Sequence, residues 1–301
     1  MIQAGLIVSR FVHFAALLTI FGVSLFPFYA FPVRSGVTEV LRLQRKFLLI
    51  GASIVFISAI LWLEFTAAAM SGKIAGMTDP DVMWSVVRDT DFGRLWMVRL
   101  ALALAILAFM ARKPGGDRGI IVLLAGVLLA SLASVGHAQL NDGVAGVVHA
   151  VADGLHLLAA GAWLGGLVAL SIVLAQPTPL PDLDKLLLRF SGMGYIAVAV
   201  LVGSGLVNSW YLVGSPDDQM STPYGKLLLF KLSLFALMVG IAVVNRLWIV
   251  PALARDGQTR PVRWSRRLRQ HIFAEQALGF LIVAIVGLLG ITEPAINSEP
   301  K

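Results

Sequence analysis

Five histidines and no cysteine set the chemistry this sequence can attempt. Without Cys there is no disulfide, thiolate metal site or catalytic thiol, so soft-metal chemistry falls to imidazole and thioether. His149, Asp153 and His156 recur at i, i+4 and i+7, which places all three on one face of a helix, the arrangement that metal ligation uses. His13 and His137 lie in two other apolar segments. Met70, Met77, Met83 and Met220 fall in connections near them, although Met also fills gaps in packing. Imidazole with thioether suits copper, Cu(I) in particular, better than Mg²⁺ or Ca²⁺. For each histidine alone the competing reading is a hydrogen bond to a neighbouring helix, and spacing alone does not name the metal.

The elements that must position these residues are membrane spans. Hydrophobic residues make up 58 %, charged residues 14 %, and the mean hydropathy is +0.84. A soluble domain carries about a quarter charged residues. The pattern predicts an all-α integral membrane protein with eight transmembrane helices near 5–28, 47–69, 93–111, 119–137, 147–174, 190–213, 225–249 and 271–291. Arg10 sits inside the first apolar run with no basic segment before it, so that run is expected to stay in the mature protein. The connections after spans 1, 3, 5 and 7, with Arg246 at the end of span 7, hold sixteen of the 24 basic residues. Both termini are therefore expected outside, in the periplasm of a bacterial inner membrane protein. That orientation gathers His13, His137, His149 and His156 at the outer side and leaves His271 at the inner side. The excess of six arginines between Arg255 and Arg269 then anchors the chain against anionic lipid, and the net charge of +7 implies no nucleic-acid partner. Asp79-Pro80 predicts a short helix starting in the loop after span 2.

Two segments repeat in order. His13-Phe-Ala-Ala and Gly22 match His156-Leu-Leu-Ala and Gly165, and Phe92-Gly-Arg-Leu…Arg99-Leu100 matches Tyr224-Gly-Lys-Leu…Lys231-Leu232. The expectation is one polytopic domain built from two parallel four-helix units, about 1–137 and 147–291, with His13 facing His156 and Arg99 equivalent to Lys231. An ionisable group inside the hydrocarbon must be paired or line a wet cavity. Glu64, Arg99, Lys231 and Glu275 are such groups, while Asn208 and Asn245 read as hydrogen-bond partners between helices.

The chain resembles the CopD family of bacterial inner-membrane copper proteins. The resemblance rests on Gly136-His137-Ala138, His156-Leu-Leu-Ala-Ala-Gly-Ala-Trp-Leu-Gly-Gly-Leu167, Asn208-Ser-Trp210, Tyr224-Gly-Lys-Leu-Leu-Leu-Phe-Lys231, Asn245-Arg246 with Pro251, and Glu275 with Leu278-Gly279. It implies copper resistance or homeostasis, movement of copper, as Cu(I) or Cu(II), toward the cytoplasm, and a separate periplasmic copper-binding partner of the CopC type. The expected copper entry site comprises His137, His149, His156, His13 and Asp153.

Two other readings stay open at this stage. A haem-binding, b-type cytochrome-like protein also places histidines between paired bundles, but Gly290-Ile-Thr292 stands where a second His137 would be needed. A copper assembly factor that binds without transporting is the other. No Gly-x-x-x-x-Gly-Lys-Ser/Thr loop and no catalytic constellation occurs, so neither an ATP-driven pump nor an enzyme is expected. The membrane potential, about 2.3 kcal/mol per charge per 100 mV, would suffice to draw a cation inward.

Overall fold

A computed structural model describes residues 1–31, 38–112, 118–135, 143–176, 182–213, 222–255 and 262–292. Among them stand ten α-helices: α1 (Ile2–Ala30), α2 (Thr38–Ser71), α3 (Pro80–Asp89), α4 (Asp91–Arg112), α5 (Arg118–Ser131), α6 (Gly143–Leu174), α7 (Leu183–Val213), α8 (Pro223–Val244), α9 (Val250–Arg255) and α10 (Val262–Leu289). Several boundaries have plain local causes. Gly72, at φ 69°, follows the end of α2 in the left-handed region that suits glycine. Asp79 accepts from the amides of Asp81 (3.0 Å) and Val82 (3.4 Å) with Pro80 in the first turn, so α3 begins where Asp79-Pro80 predicts. Thr222 caps α8 in the same way, accepting from Gly225 N at 3.1 Å ahead of Pro223.

Seven helical segments are long and apolar enough to cross a membrane: Ile2–Ala30, Thr38–Ser71, Asp91–Arg112, Gly143–Leu174, Leu183–Leu212, Pro223–Leu253 and Trp264–Leu289. The sequence led us to expect eight, and the difference lies in the segment anticipated at 119–137. There α5 runs for only 14 residues before the chain tightens into a 3-10 turn, Leu132–Val135. At that change Arg99 of α4 donates to the Ser131 carbonyl (2.5 Å) and to its hydroxyl (3.1 Å). The guanidinium satisfies a carbonyl that the end of an α-helix leaves exposed, which favours closing the helix there.

The core is organised around α1, which packs against α2, α5, α6 and α10. Its crossing with α6 is set by small residues. A Cβ on Gly22 would overlap the Gly161 carbonyl oxygen, and one on Gly165 would lie 2.7 Å from Gly22 Cα and from the Leu18 carbonyl. The two backbones therefore touch, the Gly161-x-x-x-Gly165 spacing admitting a contact that any larger side chain would prevent. At the opposite extreme α8 is little enclosed, with Leu229, Phe230, Leu232 and Leu237 turned outward, as a lipid-facing helix requires. Between α8 and α9 the residues Asn245–Ile249 form a π-helical turn, a local widening that re-aims the side chains on it.

Candidate functional site

The i, i+4, i+7 face of α6 opens onto a cavity of about 390 Å³ between α6, α7, α8 and α10. His149, Asp153 and His156 all line it, together with Asn208, Tyr224 and Lys231. Each of the three α6 side chains has a definite neighbour. The His149 ring stacks on Tyr211 at a centroid distance of 4.8 Å and 13° between planes. Asp153 accepts from the Asn208 side-chain amide at 3.1 Å, so Asn208 is the interhelical partner its sequence position suggested. His156 Nδ1 lies 3.0 Å from Ser204 Oγ on α7. Among the described residues no three His, Asp or Glu side chains converge closely enough to enclose a metal ion.

The protonation of His156 follows from its partner. A hydroxyl has one proton to donate, and Ser204 gives it to the Val200 carbonyl at 2.6 Å. A Ser204 hydroxyl committed to Val200 accepts from His156 Nδ1–H, which assigns the ring its Nδ1–H tautomer. That leaves Nε2 as the nitrogen with a lone pair, the tautomer that ligates a metal.

His13 repeats this arrangement in the other half of the chain. Its Nδ1 lies 3.0 Å from Ser58 Oγ on α2, and Ser58 donates to the Val55 carbonyl at 3.1 Å. The same reasoning makes Nε2 the unprotonated nitrogen. Here the ring is wholly buried, Trp62 and Trp96 lie 5.7 and 5.8 Å away, and Nε2 has no hydrogen-bond partner among the described residues. His13 is not among the residues that line the His156 cavity, although Trp62, against its ring, is. His137 lies outside the described residues.

Charge in the His156 cavity is mixed. Asp153 and Lys231 attract one another across it. Arg10 reaches the rim but is held by the Gly290 carbonyl (2.6 Å) and the Trp62 ring (5.2 Å). The lining thus holds one carboxylate, Asp153, and two cationic side chains, Lys231 and Arg10, with neutral imidazoles between them.

Spacing analysis missed Ser58, Ser204, Tyr211 and the pair Trp62 and Trp96. The two serines were visible as hydroxyls in the apolar spans that follow each histidine, 45 and 48 residues on.

Residues 1–147 match the family described as "Copper resistance protein D-like, N-terminal domain", and residues 184–289 match "Copper resistance protein D". The chain is 33 % identical over 307 residues to Copper resistance protein D of Pseudomonas syringae pv. tomato, covering 97 % of each chain. It is 31 % identical to Inner membrane protein YebZ of Escherichia coli K12, covering 96 % of this chain and 98 % of that one. To Copper transport protein CutJ of Bacillus subtilis 168 it is 26 % identical over 94 % of this chain but only 51 % of the relative. No solved structure matches.

Proposed function

Because this chain belongs to the copper resistance protein D family, we propose that it is an inner-membrane copper protein that takes up Cu(I) at the periplasmic face through the His156 cavity and passes it toward the cytoplasm without ATP. The observation that carries this reading is His156 itself, a cavity-lining imidazole whose hydrogen bond from Nδ1 leaves a ligating Nε2, with His149 and Asp153 on the same wall. Imidazole with the Met238 thioether in the same lining suits copper, Cu(I) in particular.

His13 with its bare Nε2, and His137, are proposed as further copper ligands apart from the His156 cavity; a buried imidazole nitrogen without a partner needs one. We place an eighth crossing at α5 and its 3-10 turn. Fourteen residues at about 1.5 Å and four at about 2.0 Å reach roughly 29 Å, close to a hydrocarbon core of about 30 Å. The matched His–Ser pairs and the contact of Gly22 with Gly165 favour two parallel units, about 1–137 and 147–291. Copper would arrive from a separate periplasmic carrier of the CopC type.

The reading is tested by titrating purified protein with Cu(I) against a competing chelator. His156→Ala is expected to lower affinity at least tenfold and His271→Ala to leave it unchanged. Equal affinities for the wild type and the His149→Ala/His156→Ala double variant would remove the cavity as the intake site. A Soret band in the purified protein would instead establish the haem reading.

A further inference from the structure

A second cavity of about 480 Å³ lies along the same helices. The two cavities share a single lining residue among those described, Trp163. Every helix that borders both changes sides at the same level: Leu164 to Leu167 on α6, Leu201 to Ala199 on α7, Gly279 to Glu275 on α10. On α8 the change falls between consecutive residues, Met238 in the first cavity and Val239 in the second. The Trp163 ring meets Phe235 edge-on at 6.1 Å, and Met238 stands one turn beyond Phe235 on the same face of α8. Trp163 thus stands between the two cavities, with the Met238 thioether one turn from its ring contact Phe235.

The far cavity contains a polar group of its own. Glu275, buried, accepts from the Asn245 side-chain amide at 2.6 Å, and the Asn245 carbonyl oxygen is 2.8 Å from His271 Nδ1. The π-helical turn starting at Asn245 turns that side chain inward to bridge two residues one turn apart on α10. One Glu275 oxygen is fixed by this ladder, and the carboxylate borders the cavity. Arg246 shares the cavity, its guanidinium 6.0 Å from the Tyr195 ring centre.

The geometry points to a second cation station: Cu(I) leaves the His156 cavity past Trp163, handed on by the Met238 thioether, and is received by the Glu275 carboxylate that Asn245 and His271 hold in place. The inference rests on the copper reading above. Thioether is a soft ligand that needs no deprotonation, which suits a constriction where the ion loses its water. Asn245 and His271 fix the carboxylate before the ion arrives. Arg246 opposes a long stay, as onward release demands.

The test uses the full chain in liposomes holding a Cu(I)-chelating dye, with initial uptake and equilibrium Cu(I) affinity measured separately. Met238→Leu and Glu275→Gln are each expected to slow uptake at least tenfold, and in Glu275→Gln, which leaves the lining of the first cavity intact, affinity stays within twofold of wild type. Glu275→Gln keeps the acceptor for Asn245, so its fold is preserved. In Glu275→Gln, where onward passage is blocked, X-ray absorption of the copper-loaded protein should show a sulfur neighbour that Met238→Leu removes. Undiminished uptake in both variants beside an active wild type overturns the station and leaves the copper reading intact. A wild type that binds Cu(I) but moves none overturns both the station and transport, and a wild type that binds none overturns the copper reading itself.

Discussion

Ser204 does for His156 what a second ligand would do in a finished metal site: it fixes which nitrogen carries the proton. Its removal is a clean probe of that role. Ser204→Ala deletes one hydrogen bond, worth about 1 kcal/mol, and is expected to weaken Cu(I) binding about fivefold in a chelator competition. The same loss at Ser58 should leave the affinity of the His156 cavity unchanged, because His13 is outside it. Affinity is also expected to fall on acidification, since a protonated ring cannot ligate. The shared face of the α6 trio and the bridging roles of Asn208 and Asn245 were legible from residue type and spacing. The absence of His13 from the lining of the His156 cavity was not. Helical periodicity states which residues share a face of one helix, and it carries no information on which neighbour that face meets.

At the level of elements, the crossing of α1 and α6 has the least room for change. Gly165→Ala would set a Cβ against Gly22 Cα and the Leu18 carbonyl, neither of which can move without its helix, and a loss of about 1–3 kcal/mol is expected. Gly192→Ala in α7 is the control: nothing lies within 4 Å of its Cβ, and replacing a helical glycine there should be neutral or stabilising by about 0.5 kcal/mol. Thermal melts of the two variants in one detergent make the comparison. The long helices were readable because each is an unbroken apolar stretch. The end of α5 was not, because the apolar run continues past Ser131 and the change of helix type tracks a guanidinium brought in from α4. The π-helical turn was hidden for a similar reason, since Asn245 and its neighbours read as ordinary helix until Glu275 and His271 stand opposite.

For the whole molecule the open quantity is orientation, which rests on the distribution of Lys and Arg among the connections. A chain without cysteine makes it directly measurable. Ser85→Cys on the exposed side of α3 should react with an impermeant thiol reagent added to spheroplasts, and Arg266→Cys at the start of α10 should react only after the membrane is opened. The reverse pattern would invert the direction of the proposed path and place the His156 cavity on the cytoplasmic side.

The bond from Arg10 to the Gly290 carbonyl joins the first helix to the last across 280 positions of sequence. On the ribosome, at about 5–20 residues per second, that separation is a wait of roughly 15–60 s. Throughout it α1 sits in the bilayer with a guanidinium whose final acceptor has not yet been made. The earliest helix to be inserted is thus completed by the latest, and biogenesis must shelter that charge among lipid headgroups, water or an insertion factor until α10 arrives. Closure of the bundle consequently waits for α10, and a chain halted before Gly290 cannot reach it.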